Sequence, residues 1–328
     1  MRTLPERQDD LIVFLVWVIV GLYSVAANFL LSLGILRKRK FRQQTCYWPI
    51  VFASICDIFQ SCANLIMTTV LVCHEFCWIG RLETQARVAT AYFIPYYCSI
   101  INFAVLAANR FFMIVCPHFY ERVFSSHTTW LWLGGNLALA LLMASATISP
   151  CCWIQLSSTE YITEFADKAN FVRLSYIPVN VVVTIVMLAC YSAILYRVHK
   201  SRIRILSVAS SDAAERKEIL LLIQFLVISS YYVIAWTSWG WVPITWQSKW
   251  ANFLVTTMLE GICAVNPTVY FVFNTALRKS IGRLFGCVLV RTKRTQTIEC
   301  RSDTAADQHP LVGFTTQSVR MKKKVQLI

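Results

Sequence analysis

Seven stretches of this chain are too long and too apolar to face water: residues 11–36, 46–72, 88–116, 129–150, 171–196, 219–244 and 251–273. A helix rising about 1.5 Å per residue needs roughly 20 apolar residues to cross a hydrocarbon core about 30 Å thick, and the runs meet that length. Spanning strands are excluded, because barrel strands alternate apolar and polar residues over about 10 positions, and Leu11 to Val20 does not alternate. Composition agrees: 15% of the residues are charged, where a soluble domain carries about 25%. The expected fold class is an all-α membrane protein, a bundle of seven transmembrane helices over residues 11–273, preceded by an extracellular segment at 1–10.

Lys and Arg set the expected orientation, since cytoplasmic loops retain an excess of them. They collect at Arg37, Lys38, Arg39, Lys40 and Arg42, again at Arg197, Lys200, Arg202, Arg204, Arg216 and Lys217, and after the last run at Arg278, Lys279 and Arg283. The presumed outer segments carry only Arg2, Arg7, Arg81, Arg87, Lys168, Arg173 and Lys249. The N-terminus is therefore expected outside a multi-pass plasma-membrane protein and the C-terminus inside. The net charge of +14 then reflects topology and attraction to anionic lipid, and no nucleic-acid partner is needed to explain it. The polar stretch before the first run holds Asp9 and Asp10 and lacks a small-residue cleavage pattern, so that run reads as a retained span rather than a signal peptide. No Asn-x-Ser/Thr sequon with a permitted middle residue occurs, so no surface glycan is expected.

The 13 cysteines fall mainly within the spans, where a small polarizable side chain packs. Cys73, Cys77, Cys151 and Cys152 fall in the oxidising outer loops. One disulfide is expected there, Cys77 with Cys151 or Cys152.

Polar groups inside the spans carry the functional signal, because an ionised side chain near the bilayer centre costs at least about 2.5–3.5 kcal/mol. Asn28, Asp57, Arg110 and Glu260 stand out. Asp57 needs a proton, a cation or hydrogen-bond donors. Two readings stay open: a packing cluster with Asn28, Ser99 and Asn266, or a sodium ion held by Asp57 and Ser99. Pro267, in Asn266-Pro267-Thr268-Val269-Tyr270, removes a backbone hydrogen bond and kinks the seventh span. Asn266 is expected to bond a freed carbonyl, and the kink is either a hinge or static. Residues 274–287 are basic on one side and apolar on the other, as in a short interfacial eighth helix, and Cys287 at its end is a palmitoylation candidate. Residues 288–328 are expected to be a disordered cytoplasmic tail. Its Thr292, Thr295, Thr297, Ser302, Thr304, Thr315, Thr316 and Ser318 are candidate kinase targets.

Taken together these residues resemble the rhodopsin-like (class A) G-protein-coupled receptors. Asn109-Arg110-Phe111, followed by Pro117 and Tyr120, stands where that superfamily has acid-Arg-aromatic, Pro and Tyr; Asn266, Pro267 and Tyr270 match its Asn-Pro-x-x-Tyr. Asn28 and Asp57 occupy its marked positions in helices one and two. The stretch Ala108 to Phe112, continuing to Pro117, Tyr120, Val123-Phe124-Ser125 and Thr128, looks like the nematode serpentine chemoreceptors of the Srx type. There are departures. Asn109 replaces the acid, so Glu215 or Glu218 would have to restrain Arg110, and raised basal activity is implied. Ser229 and Tyr231 stand where helix six has Trp-x-Pro, and Gln85 stands at the place of the disulfide Cys of helix three. Pro178 lies a little above the usual Pro of helix five, whereas Tyr191 matches its inner tyrosine.

The resemblance implies a ligand cavity between the outer halves of helices three, five, six and seven, lined by Tyr92, Tyr96, Ser175, Tyr232, Trp236, Thr256 and Glu260. That lining suits a small, partly apolar molecule from outside. Glu260 stands where opsins carry Lys, so no retinal Schiff base forms; Tyr92 stands where amine receptors carry Asp, so a monoamine fits only if Glu260 takes over that role. The alternative for Glu260 is a protonated carboxyl bonded to helix one or two. The implied mechanism is a population shift in which helix six swings out and Arg110, Tyr191 and Tyr270 frame a cleft for a heterotrimeric G protein. Arrestin and kinases would act at the tail, and sensory cilia are an expected location. A neuropeptide receptor is the runner-up. A secondary transporter would show an internal repeat, and an enzyme a catalytic constellation; the five histidines are dispersed, no Gly-rich phosphate loop occurs, and no Cys or His spacing suits a metal.

Overall fold

In the computed structural model, residues 4–73, 82–145, 154–157, 159–165, 171–205, 212–275 and 277–282 are described. Seven long helices account for most of them: α1 (Leu4–Arg37), α2 (Trp48–Thr68), α3 (Leu82–Ile114), α4 (Ser126–Ser145), α5 (Phe171–Ile205), α6 (Asp212–Thr245) and α7 (Lys249–Phe273). All but α6 satisfy length and hydropathy criteria for a membrane span within the described residues, and α6 contains the apolar run 219–244. Most helices overrun their apolar runs, because a helix continues until its backbone finds a cap or a proline. α1 takes in most of the polar stretch before residue 11. α2 begins with Pro49 in its first turn, where the missing N–H costs nothing. The Ser125 hydroxyl accepts from the Thr128 amide at 3.2 Å and so caps the start of α4.

α3 is the axis of the bundle. Of its apolar window 61% is buried, against 28% for α4 and for α5 and 33% for α1, so the last three present most of their surface to lipid. Leu15, Ile19 and Phe29 on α1, Leu131 and Leu142 on α4, and Val182, Ile185 and Leu188 on α5 form those outward apolar faces. α1 packs on α2 and α7, α2 on α3, α3 on α4 and α5, and α6 on α7, whereas among the described residues the backbones of α5 and α6 approach at few positions. Gly21 lets α1 approach α2: a Cβ there would lie 2.7 Å from Leu65 Cδ2.

An antiparallel hairpin between α4 and α5, β1 (Ile154–Ser157) and β2 (Ile162–Phe165), departs from the all-helical expectation. It caps the end of the bundle where α1 begins; the opposite end carries Arg37, Arg39 and Arg42 and is called the basic end below. In the tight turn of the hairpin Tyr161 has φ 51°, a left-handed conformation uncommon for a residue with a Cβ. Three contacts hold it there. Its hydroxyl donates to Asp10 Oδ1 at 2.9 Å, its carbonyl accepts from Thr256 Oγ1 at 3.0 Å, and Lys249 Nζ lies 5.8 Å from its ring centroid. Lys249 also pairs with Asp9 at 2.5 Å.

At the basic end residues 277–282 are helical. Asn274 Oδ1 accepts from the Leu277 amide at 3.0 Å, and Ser280 Oγ donates to the Gly34 carbonyl at 3.2 Å. Gly34 leaves room for Leu277 and Ile281 against α1. Cys77, Cys151, Cys152, Cys287 and the tail from 288 onward lie outside the described residues, as do the side chains of Cys73, Gln85, Ser175, Glu215 and Glu218.

Candidate functional site

Directly beneath the hairpin, α1, α2, α3 and α7 enclose a cavity that Tyr176 of α5 and Trp239 of α6 close from the side. Its free volume is about 60 Å3. Of the seven residues expected to line it, Tyr92, Tyr96, Thr256 and Glu260 do so. Tyr232 and Trp236 do not. Tyr232, 1% exposed, lies one layer deeper, where its hydroxyl donates to Asn180 Oδ1 at 2.6 Å and its ring contacts Phe103 at 5.2 Å. Trp236 donates its indole N–H to Thr184 Oγ1 at 3.2 Å and lines a separate opening between α5, α6 and the hairpin. The physical reason is the rotation of α6, which turns this pair toward α5.

The cavity therefore leans toward α1 and α2, not toward α5 and α6 as expected. Trp17, Asn64, Met67 and Thr68 line it and were missed. Trp17 sits within an uninterrupted apolar run, where a tryptophan reads as packing or interfacial belt; Asn64 and Thr68 are the two of the four whose polarity inside a span could have pointed to the site. The aromatic wall is continuous. Tyr92 stacks on Tyr96 at 5.7 Å, Tyr96 on Tyr176 at 5.7 Å, and Tyr176 meets Trp239 edge-on at 5.2 Å. Gln60 Nε2 donates to the Tyr92 hydroxyl at 3.1 Å, and Trp17 Nε1 donates to Thr257 Oγ1 at 2.9 Å, so two of these rings are fixed in orientation. Glu260 makes no hydrogen bond to α1 or α2.

Below this layer Asn180 joins α3, α5 and α6: its Oδ1 also accepts from the Tyr96 hydroxyl at 3.4 Å. Deeper still, Asp57 is fully buried. Its Oδ1 accepts from Ser99 Oγ at 2.9 Å and its Oδ2 from Asn266 Nδ2 at 3.2 Å. The carboxylate thus ties α2 to α3 and α7. Asn266 was expected to bond a carbonyl freed by Pro267, but its amide is taken by Asp57. The carbonyl that loses its partner is that of Cys263, and Asn28 Nδ2 donates to it at 2.7 Å. Ser24 and Ser61 complete the cluster, their hydroxyls 2.8 Å apart.

As oxygen ligands, the Asp57 carboxylate and the Ser99 hydroxyl suit a hard monovalent cation. Asn266 turns its NH2 rather than its oxygen to them, so in this arrangement donors neutralise the carboxylate. No cluster of three or more His, Cys, Asp or Glu side chains occurs among the described residues.

Tyr191, Asn266 and Tyr270 line one small inner crevice together with Ser229. The guanidinium of Arg110 lies near the hydroxyls of Tyr191 and Tyr270 and also contacts Met113 Sδ at 3.8 Å. Next to it Asn109 is 1% exposed, and neither atom of its amide has a hydrogen-bond partner. Phe111 packs against the main core, its ring meeting Phe112 edge-on at 5.4 Å. Pro267 lies within α7 without ending it.

The fold that carries these three layers is shared with known proteins. Over 94% of this chain and 97% of its own, squid rhodopsin superposes with a TM-score of 0.71 at 16% identity, which shows a common fold. The C5a anaphylatoxin chemotactic receptor 1 of Cavia porcellus is 22% identical across 92% of this chain and 89% of its own length. Melanopsin-A of Danio rerio is 22% identical across 82% of this chain and 49% of its own. The family model of the serpentine type 7TM GPCR chemoreceptor Srx matches residues 18–274. The chain belongs to the Srx family of seven-transmembrane G-protein-coupled chemoreceptors and is a receptor, not an enzyme.

Proposed function

We propose that this receptor detects a small, partly apolar molecule from outside the cell and signals through a heterotrimeric G protein. The observation that carries this reading is the aromatic cavity covered by the hairpin, with the hydrogen bonds of Asn180 and of Asp57 beneath it and the crevice of Tyr191 and Tyr270 toward the basic end. In this reading the hairpin end faces outward in the plasma membrane. A ligand that fits the cavity better when α6 has moved would shift the population toward a form with a cleft at the basic end. Such a motion would break the hydrogen bonds of Tyr232 with Asn180 and of Trp236 with Thr184, which tie α6 to α5. Arrestin and kinases would end the signal at the tail. A sodium ion at Asp57 and Ser99 would favour the inactive form.

The small volume of the cavity favours a small ligand over a neuropeptide. The test is to express the full chain in cells with a G-protein activation reporter and to challenge them with small-molecule and peptide panels. Responses to small molecules that Tyr96→Ala abolishes support the proposal; responses to peptides alone overturn it. For the chemosensory role, the receptor is tagged at its C-terminus and located in the animal. Sensory cilia are the expected location, and exclusive presence on muscle, gut or interneurons contradicts it.

A further inference from the structure

Among the described residues Glu260 is the one acidic side chain lining the cavity, and no described Lys, Arg or His lines it. No described residue makes a hydrogen bond or ion pair to its carboxylate. Several of the polar groups around it bond to other partners, the Tyr92 hydroxyl keeping its own proton to give. Thr256 Oγ1 donates to the Tyr161 carbonyl, Thr68 Oγ1 to the Asn64 carbonyl at 2.7 Å, and the Tyr96 hydroxyl to Asn180, while the Tyr92 hydroxyl accepts from Gln60. An ionised carboxylate without a partner at this depth is costly, and the cost falls when a cation joins it.

Trp17, Tyr92, Tyr96, Tyr176 and Trp239 line the space, and aromatic walls suit the apolar body of an organic molecule. A metal ion would need several oxygen ligands, and a single carboxylate among rings does not provide them. An organic cation does not have that requirement. Its ammonium group needs one carboxylate, and its apolar body fits against rings.

We infer that the ligand carries a protonated amine on a compact apolar body and that Glu260 is the counter-ion that holds it. This rests on the reading of the cavity as the ligand site. With about 60 Å3 of free space, small amines fit best, and larger ones enter only if the Tyr176–Trp239 contact opens.

The test uses the full-length receptor purified in nanodiscs. Its thermal midpoint is measured with a series of primary amines from propylamine to 2-phenylethylamine, and with the alcohols of the same skeletons. At least one amine is expected to raise the midpoint while its alcohol does not, and Glu260→Gln should weaken that amine by about tenfold or more. The ligand-free midpoint of E260Q confirms that the variant is folded, and Glu260→Asp should retain part of the binding. Three results overturn the inference: no amine in the series binds, amine and alcohol bind alike, or E260Q binds the amine as well as the wild type. Binding of the alcohols that Trp17→Ala removes would leave the small-ligand site standing and discard only the charge. If neither series binds and the receptor responds only to peptides, the cavity reading falls as well.

Discussion

Asn28 of α1 donates its side-chain amide to the backbone carbonyl of Cys263 in α7, at 2.7 Å. That carbonyl stands four residues before Pro267, which has no N–H to give it. The kink in α7 is therefore sealed by a neighbouring helix, which also receives Ser61 of α2 through the Ser24 hydroxyl. An ordinary hydrogen bond between membrane helices contributes about 0.6 kcal/mol. This one should contribute more, because its loss leaves a buried carbonyl with no other donor, at a cost of about 1–3 kcal/mol. Asn28→Leu is expected to lower the thermal midpoint of the purified receptor by that equivalent; an unchanged midpoint would show that the carbonyl finds another partner.

Asn109 offers a second test. Its amide is buried and unsatisfied beside Arg110, at the position where the superfamily pattern places an acid. Asn109→Asp would create an ion pair with Arg110 in a water-poor site, where opposite charges within about 4–6 Å attract strongly. Basal nucleotide exchange by the G protein should fall several-fold. If N109D leaves the basal rate where it is, Arg110 is not the element that sets it.

The hairpin is pinned by Tyr161, through Asp10 and Thr256, and by the Lys249–Asp9 pair close by. Removing the hydroxyl in Tyr161→Phe withdraws one of these ties at a typical cost of about 1 kcal/mol. Hydrogen–deuterium exchange at Ile154–Ser157 and Ile162–Phe165 should rise roughly fivefold, which is the factor that energy corresponds to. Exchange that rises equally throughout α7 would mean instead that the whole end of the bundle has loosened.

At Asp57 the two readings of the sequence predict different salt responses. With a sodium ion on Asp57 and Ser99, replacing choline chloride by sodium chloride at equal ionic strength raises the thermal midpoint of the wild type and not of Asp57→Asn. Equal responses of the two proteins would leave the hydrogen bonds from Ser99 and Asn266 as the whole of the interaction.

The spans were legible because their signal is additive over many residues, and Asp57, Ser99 and Asn266 could be brought together because each is a polar residue at similar depth in its span. Rotation about the helix axis was not legible. Periodicity says which residues of α6 share a face, but not that Tyr232 and Trp236 turn toward Asn180 and Thr184 of α5. Without a Pro at position 231, α6 also lacks the landmark by which it would be set against known receptors. The same limit hid Trp17 and Met67, whose apolar runs gave no sign of which face met the cavity. Asn28 was read as a member of the Asp57 cluster, whereas it serves the carbonyl that Pro267 exposes, a pairing between residues 235 positions apart that no local pattern announces. The hairpin was missed because two four-residue strands carry too few residues for alternation to stand out beside seven long helices.

The measurement closest to the central claim is guanine-nucleotide exchange on heterotrimeric G proteins by the purified receptor in nanodiscs, wild type against Arg110→Ala. The wild type is expected to accelerate exchange above the receptor-free rate even without ligand, because Asn109 does not restrain Arg110 as an acid would, and R110A to remove the acceleration while keeping its thermal midpoint. Acceleration that survives in R110A, or none by the wild type across all G-protein classes, would contradict that claim.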